Sequence, residues 1–149
     1  RDFLEEVTRD WGKRFAAKNL RLELQVPDEF PVLRVDERRL EEVVHNLLDN
    51  AVNYSHPNSR ILIQGSAPDQ EIVLSVSDQG VGIAPADLPR IFERFYRADR
   101  ARSRDLGGTG LGLSIVKHIA QLHGGRIEAE STLGQGTTIR VILPNRSSE

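Results

Sequence analysis

Phe3, Leu4, Val7, Trp11 and Phe15 recur at steps of three and four residues, the spacing that gathers side chains on one face of a helix, and the repeat stops near Asn19. A period of two follows. Leu20, Leu22, Leu24 and Val26 alternate with polar neighbours, as in a strand with one buried face. Pro27 to Pro31 predicts a turn and Val32 to Val35 a short strand, and Asp36 is placed to cap a helix running to about Tyr54. Ile61 to Ser66 and Glu71 to Ser77, on either side of Ala67 to Gln70, predict a hairpin. Pro85 to Arg90 reads as a short helix with proline in its first turn, and the polar stretch from there to Leu106 has no period and reads as a mobile loop. Ile115, Val116, Ile119 and Leu122 return to helical spacing in a helix from Gly110 that Gly124-Gly125 should stop. Arg126 to Ser131 and Thr137 to Leu143 predict a second hairpin through Leu133 to Gly136, and residues 145–149 a disordered tail. Three longer helices and mostly antiparallel strands in segregated runs predict the α+β class: a two-layer α/β sandwich with a mixed, mostly antiparallel sheet.

Composition narrows the possibilities. The 149 residues fit one domain with a real core, and a net charge of -2 with a pI near 6.1 gives no general attraction to nucleic acid or an anionic membrane. The absence of cysteine excludes disulfides and thiolate metal sites. No apolar run is long enough for a membrane span or a signal peptide, so a cytoplasmic domain is expected. Because residue 1 is Arg, the chain is expected to be a fragment of a longer protein, and a membrane-bound parent stays open.

The chemistry gathers at three places. Gly107 to Leu113 is a glycine loop running into a helix, where a backbone free to approach an anion meets the outward N–H groups of a helix start. Thr109 can add a hydroxyl donor or a cap. The loop is not a P-loop, since Leu113 and Ser114 follow Gly112 in place of Lys-Ser or Lys-Thr. It is not a dinucleotide fingerprint either, since Gly108, Gly110 and Gly112 alternate and follow a polar, Arg-rich stretch. On the helix after Asp36, Leu40, Val43, Val44, Leu47, Ala51 and Tyr54 fall on one side and Glu42, Asn46, Asp49, Asn50 and Asn53 on the other. Asparagine is a poor helix former, so three of them at successive turns carry a cost that a function can offset; their amide oxygens suit a hard ion such as Mg²⁺ beside substrate phosphates. Ser77 to Ile83 follows a strand, and its glycines allow a tight turn from which the acceptor-only carboxylate of Asp78 emerges, able to take the exocyclic amine of adenine. An EF-hand is excluded, because the alternating oxygen ligands are missing.

Asn46-Leu47-Leu48-Asp49-Asn50-Ala51, Asp78-Gln79-Gly80-Val81-Gly82-Ile83, Phe92-Glu93-Arg94-Phe95-Tyr96-Arg97, Gly108-Thr109-Gly110-Leu111-Gly112-Leu113 and Gly134-Gln135-Gly136-Thr137 resemble, in this order, the N, G1, F, G2 and G3 boxes of the catalytic ATP-binding domain of sensor histidine kinases. Each box alone is a weak match; five in order are a strong one. The resemblance covers nearly all of residues 1–149 as one catalytic and ATP-binding domain, with an N-terminal helix over 1–18 and the F box and a flexible ATP lid over 91–108. It implies the fold shared with gyrase, Hsp90 and MutL, with ATP held between the sheet-facing helices and the lid.

Carried over position by position, the resemblance makes Asn50 a Mg²⁺ ligand with Asn46 supporting it or sharing the ion, packs Tyr54 against adenine and gives its amine to Asp78. Gly80, Gly82 and Ile83 shape the adenine pocket, Thr137 completes it, Arg97 reaches the terminal phosphates, and Gly108, Thr109, Gly110, Leu111, Gly112 and Leu113 wrap them. Asn53 and Tyr96 complete the nucleotide-facing set, with Asn46, Asn50 and Arg97 the catalytic ones. The family often has Lys where this chain has Asn53, so more of the phosphate charge is left to Mg²⁺ and to the arginines 94, 97, 100, 102 and 104. None of His45, His56, His118 and His123 lies in the His-Glu-x-x-x-Pro pattern of a phosphoacceptor, so the receiving histidine is expected on a separate dimerisation domain preceding residue 1, with a response regulator as the indirect partner. Two rivals remain: an ATP-hydrolysing clamp of the gyrase or Hsp90 kind, which uses a Glu where this chain has the poor base Asn46, and a nucleotide-binding switch without catalysis.

Overall fold

The computed structural model describes residues 2–27, 36–93 and 112–144. The predicted strand at 32–35, the tail at 145–149 and most of the F box and glycine loop lie outside them.

Among the described residues a five-stranded sheet in the order β1-β2-β3-β5-β4 is covered on one face by helices. The strands are β1 (Arg21–Gln25), β2 (Arg60–Ser66), β3 (Glu71–Ser77), β4 (Arg126–Thr132) and β5 (Gly136–Pro144). β1 and β2 run parallel, because α3 (Glu37–Tyr54) crosses between them; the other pairs are antiparallel, as the mixed two-layer α+β reading requires. Both predicted hairpins are present, and β3 pairs with β5 along its whole length.

The inner face of the sheet is built in rows. Leu24, Ile63, Val76, Ile139 and Ala129 are cross-strand neighbours in one row, and this aliphatic row packs against Val43, Val44, Leu47, Leu48 and Ala51 of α3 and Val116, Ile119 and Ala120 of α4 (Gly112–Leu122). In the next row Leu22 and Ile61 keep that character on β1 and β2, whereas β5 and β4 place Thr137 opposite Ser131, with Asp78 tied to Thr137 through its N–H to the Thr137 carbonyl at 2.9 Å. The core turns polar at one end of three strands, beside the C-terminal end of α3.

The caps agree with the sequence. Asp36 accepts from the Arg38 N–H at 3.0 Å, and α4 closes in a Schellman motif, with the Gly125 N–H on Ala120 O at 2.8 Å and that of Gly124 on Gln121 O at 3.0 Å.

Two elements differ from expectation. The first helix is α1 (Asp2–Thr8) and α2 (Gly12–Ala17) joined by a 3₁₀ turn at Arg9–Trp11. The Thr8 hydroxyl donates to Leu4 O at 2.7 Å and Gly12 begins α2, both of which weaken a continuous α-helix, while Leu4, Val7, Trp11 and Phe15 keep one buried face through the join. The helix expected at Pro85 to Arg90 is a turn followed by a 3₁₀ turn at Leu88–Arg90: the Leu88 N–H makes one α-type bond to Ala84 O at 3.1 Å, and Pro89 has no N–H to make the next one to Pro85.

At the other end of α2, Lys18 reaches the C-terminus of α3, where its Nζ donates to the carbonyls of Val52, Asn53 and Ser55 at 2.8, 3.1 and 3.1 Å. A cation there satisfies orphan carbonyls and opposes the negative end of the helix dipole. Lys18→Met is expected to cost about 1 to 2 kcal/mol, read as a lower urea midpoint at unchanged m-value; an unchanged midpoint would show that the cap contributes nothing.

Candidate functional site

The polar end of the sheet and the C-terminal half of α3 are held together by the backbone of the loop after β3. Gly80 forms a bridge with Ser55, the Val81 N–H donates to Tyr54 O at 3.1 Å, and the His56 N–H donates to Gln79 O at 3.2 Å. A Cβ on Gly80 would collide with the Tyr54 carbonyl, so this approach needs glycine. Gly82, at φ +73°, turns the chain against Thr132, and the Gly134 N–H closes the contact on Val81 O at 2.8 Å. Gly80 and Gly82 thus bring the chain at Tyr54, Asp78, Ile83 and Thr137 together at this end of the sheet.

Asp78 is the electrostatic centre. Its Oδ1 accepts from the Thr137 N–H at 3.3 Å, and the Gly80 backbone also donates to the carboxylate, yet burial outweighs both and raises the carboxyl to about 6 from 3.8. A carboxyl shifted this far, beside the asparagine-bearing helix, marks a candidate site.

α3 supplies the other wall. The Asn46 amide nitrogen donates to Glu42 O at 3.0 Å, which fixes its flip and leaves Oδ1 free to face α4, where a Cβ built on Gly112 would stand 3.4 Å away. Gly112, where the described part of α4 begins, therefore abuts the asparagine face. Leu113 packs toward the core, so its backbone is what it can offer an anion. Asn50, one turn from Asn46, is half-buried, and its side chain makes no hydrogen bond among the described residues. Two hard amide oxygens one turn apart fit a hard cation that takes few protein ligands and most of its shell from water and phosphate. Among the described residues no cluster of His, Cys, Asp or Glu offers an alternative metal site.

Asn53 is engaged elsewhere. Its Oδ1 accepts from Arg14 at 2.9 Å, and Arg14 also pairs with Asp49 at 2.7 Å and lies over the Trp11 ring at 4.7 Å. A guanidinium from α2 thus stands on the asparagine face, a cation the sequence reading did not place there. The contacts of Arg14 and Lys18 with α3 carry no local signal, since those partners lie more than thirty residues away. Ser131 was also missed. It follows Ile127 and Ala129 at strand spacing and is the polar end of their row, a signal the alternation does contain. Tyr96, Arg97, Gly108, Thr109, Gly110 and Leu111 lie outside the described residues. Among those described, no helix is long and apolar enough to cross a membrane.

Residues 35–147 match the model of the family described as histidine kinase-, DNA gyrase B-, and HSP90-like ATPase. Sensor histidine kinase WalK of Bacillus subtilis is 40% identical over 126 residues, which are 83% of this chain and 21% of that protein. The catalytic domain of histidine kinase ThkA in a nucleotide-free form superposes with a TM-score of 0.83 at 26% identity, over 97% of this chain and 92% of that one. Full-length ShkA in complex with AMPPNP superposes with a TM-score of 0.84 at 31% identity, over 96% of this chain and 29% of that one. The chain spans about a fifth of the length of the curated relatives it matches.

Proposed function

Since the chain belongs to the histidine kinase-, DNA gyrase B-, and HSP90-like ATPase family, we propose that it is the ATP-binding catalytic domain of a two-component sensor histidine kinase, presenting the γ-phosphoryl of Mg-ATP to a histidine on a separate dimerisation domain. The observation that carries this is the junction of the half-buried, acceptor-only Asp78 with the asparagine face of α3, through the glycine contact at Tyr54 O. In this reading Asp78 serves as a base-binding acceptor at one end, and the hard oxygens of Asn46 and Asn50, with Gly112 of α4 beside Asn46, serve the phosphates and their ion at the other.

In this reading Asp78 takes the adenine amine, Tyr54, Gly80, Gly82, Ile83 and Thr137 enclose the base, and Asn50 with Asn46 ligates Mg²⁺, which neutralises phosphate charge. Gly112 and Leu113 offer backbone N–H groups to the phosphates, with Arg97 and Gly108 to Leu111 completing that set. Phosphoryl transfer asks a protein for positioning and charge stabilisation, so the nucleophile can belong to another domain. Asn46 stands where a water-activating Glu would be needed in a hydrolysing clamp, and a neutral amide is a poor base, which supports transfer over hydrolysis. The domain would work in the cytoplasm, where ATP and a response regulator are available.

Calorimetric titration with ADP, with and without MgCl₂, tests the binding step. Saturable binding that Mg²⁺ strengthens is expected; a flat titration in the presence of Mg²⁺ would contradict it.

A further inference from the structure

We infer that Ser131 is a positioning residue that fixes which edge of a base the cleft accepts, an inference that rests on the adenine reading proposed above. Ser131 lies opposite Thr137 in the β4–β5 register, in the polar row that Asp78 completes just past the end of β3. Its hydroxyl touches three groups at once: it donates to Gly136 O at 3.0 Å, accepts from the Ile83 N–H at 2.7 Å and lies 2.8 Å from the Thr137 hydroxyl.

A serine hydroxyl has one proton and two lone pairs. With the proton on Gly136 O and one lone pair taken by Ile83, the contact with Thr137 is made when Thr137 donates to Ser131. Thr137 then has no proton left for a ligand and presents lone pairs, as does the carboxylate of Asp78, whose Oδ1 is held by the Thr137 N–H. The pair is an all-acceptor edge. It suits a base with an amine at that edge and opposes one with a carbonyl there, so Ser131 adds to the preference for a 6-aminopurine over a 6-oxopurine without touching either. The same hydroxyl anchors Ile83 through its backbone N–H.

Ser131→Ala frees the Thr137 hydroxyl to rotate and donate to a carbonyl, and leaves the Ile83 N–H without its partner. The test is calorimetric titration of the wild-type domain, Ser131→Ala and Ser131→Thr with ADP and with GDP, all with Mg²⁺. The alanine variant is expected to narrow the ADP-to-GDP affinity ratio by about fivefold, the worth of one ordinary hydrogen bond. The threonine variant, which keeps the hydroxyl, should hold the ratio within about twofold of wild type. A general loosening of the cleft would lower both affinities together and leave the ratio unmoved. An unchanged ratio in Ser131→Ala overturns the inference while wild-type ADP binding leaves the adenine reading intact; if wild type does not bind ADP, that reading fails and this inference with it. Should the alanine variant not fold, Ser131→Cys, with a thiol that is a weak donor and a weak acceptor, must show the narrowed ratio, and an unchanged ratio there overturns the inference equally.

Discussion

Asp78→Asn is expected to move stability and affinity in opposite directions, making the nucleotide-free domain more stable at pH 8 and its complex with ADP weaker. Burial raises the Asp78 carboxyl to about 6 from 3.8. A carboxyl whose folded pKa exceeds its unfolded value stabilises the fold below the unfolded pKa, and that contribution is lost as pH rises through the folded one, here between about 4 and 6. At pH 8 the free domain therefore holds an ionised, desolvated carboxylate at a cost of up to about 3 kcal/mol. Asparagine removes that charge, with a net gain of about 1 to 2 kcal/mol after weaker bonds to the Thr137 and Gly80 N–H groups. Those N–H groups orient the amide oxygen, so the NH₂ is left facing the adenine amine, donor against donor, and ADP affinity should fall at least about tenfold. Wild-type affinity should itself fall about tenfold per pH unit below 6 as the carboxylate is protonated, and Asp78→Asn should lose that dependence. Melting curves at pH 8 and pH 4.5 with ADP titrations check both parts. A variant destabilised at pH 8, or equal losses for ADP and GDP, would contradict the role assigned to Asp78.

Asn50→Ala is expected to abolish the strengthening of nucleotide binding by Mg²⁺ while leaving the fold intact, with a loss of at least about tenfold in Mg-ADP affinity. The side chain is half-buried and makes no hydrogen bond among the described residues, so its removal leaves neither a core cavity nor an orphaned partner there. Replacing Asn53 should matter far less to the ion, because its amide oxygen is already held by Arg14. Titration with and without Mg²⁺ decides it, with a circular dichroism melt as the control for folding. Unchanged Mg²⁺ dependence in a folded Asn50→Ala domain would remove Asn50 from the metal site.

What the sequence made legible was local. The period of α3, its Asp36 cap, both hairpins and the Gly124-Gly125 stop are written within a few residues of where they act, and the structure has them. The asparagine face and Asp78 stood out because their residue types cost something where they sit: amides along a helix, a carboxylate leaving an aliphatic strand. What was not legible depends on partners far apart in the chain. The pairing of β3 with β5, Lys18 on the carbonyls of α3 and Arg14 on Asn53 each join segments more than thirty residues apart, and no periodicity encodes them. Ser131 lies between: its alternation with Ile127 and Ala129 places it on the inner face, but its three hydrogen bonds appear once Ile83 and Thr137 are folded against it. The break at Arg9–Trp11 is a balance between a Thr hydroxyl and a continuous apolar face, close enough that spacing alone favours the unbroken helix.

Transfer to histidine is best measured on the full parent protein that carries this domain. Incubated with Mg²⁺ and ATP labelled in its γ-phosphoryl, it should acquire label on a histidine outside residues 1–149, stable to alkali and lost in acid as a phosphoramidate is, and Asn50→Ala should abolish the labelling. Release of labelled inorganic phosphate with no labelled protein at any time, from a domain that binds ATP, would contradict the account and make the chain a hydrolysing clamp.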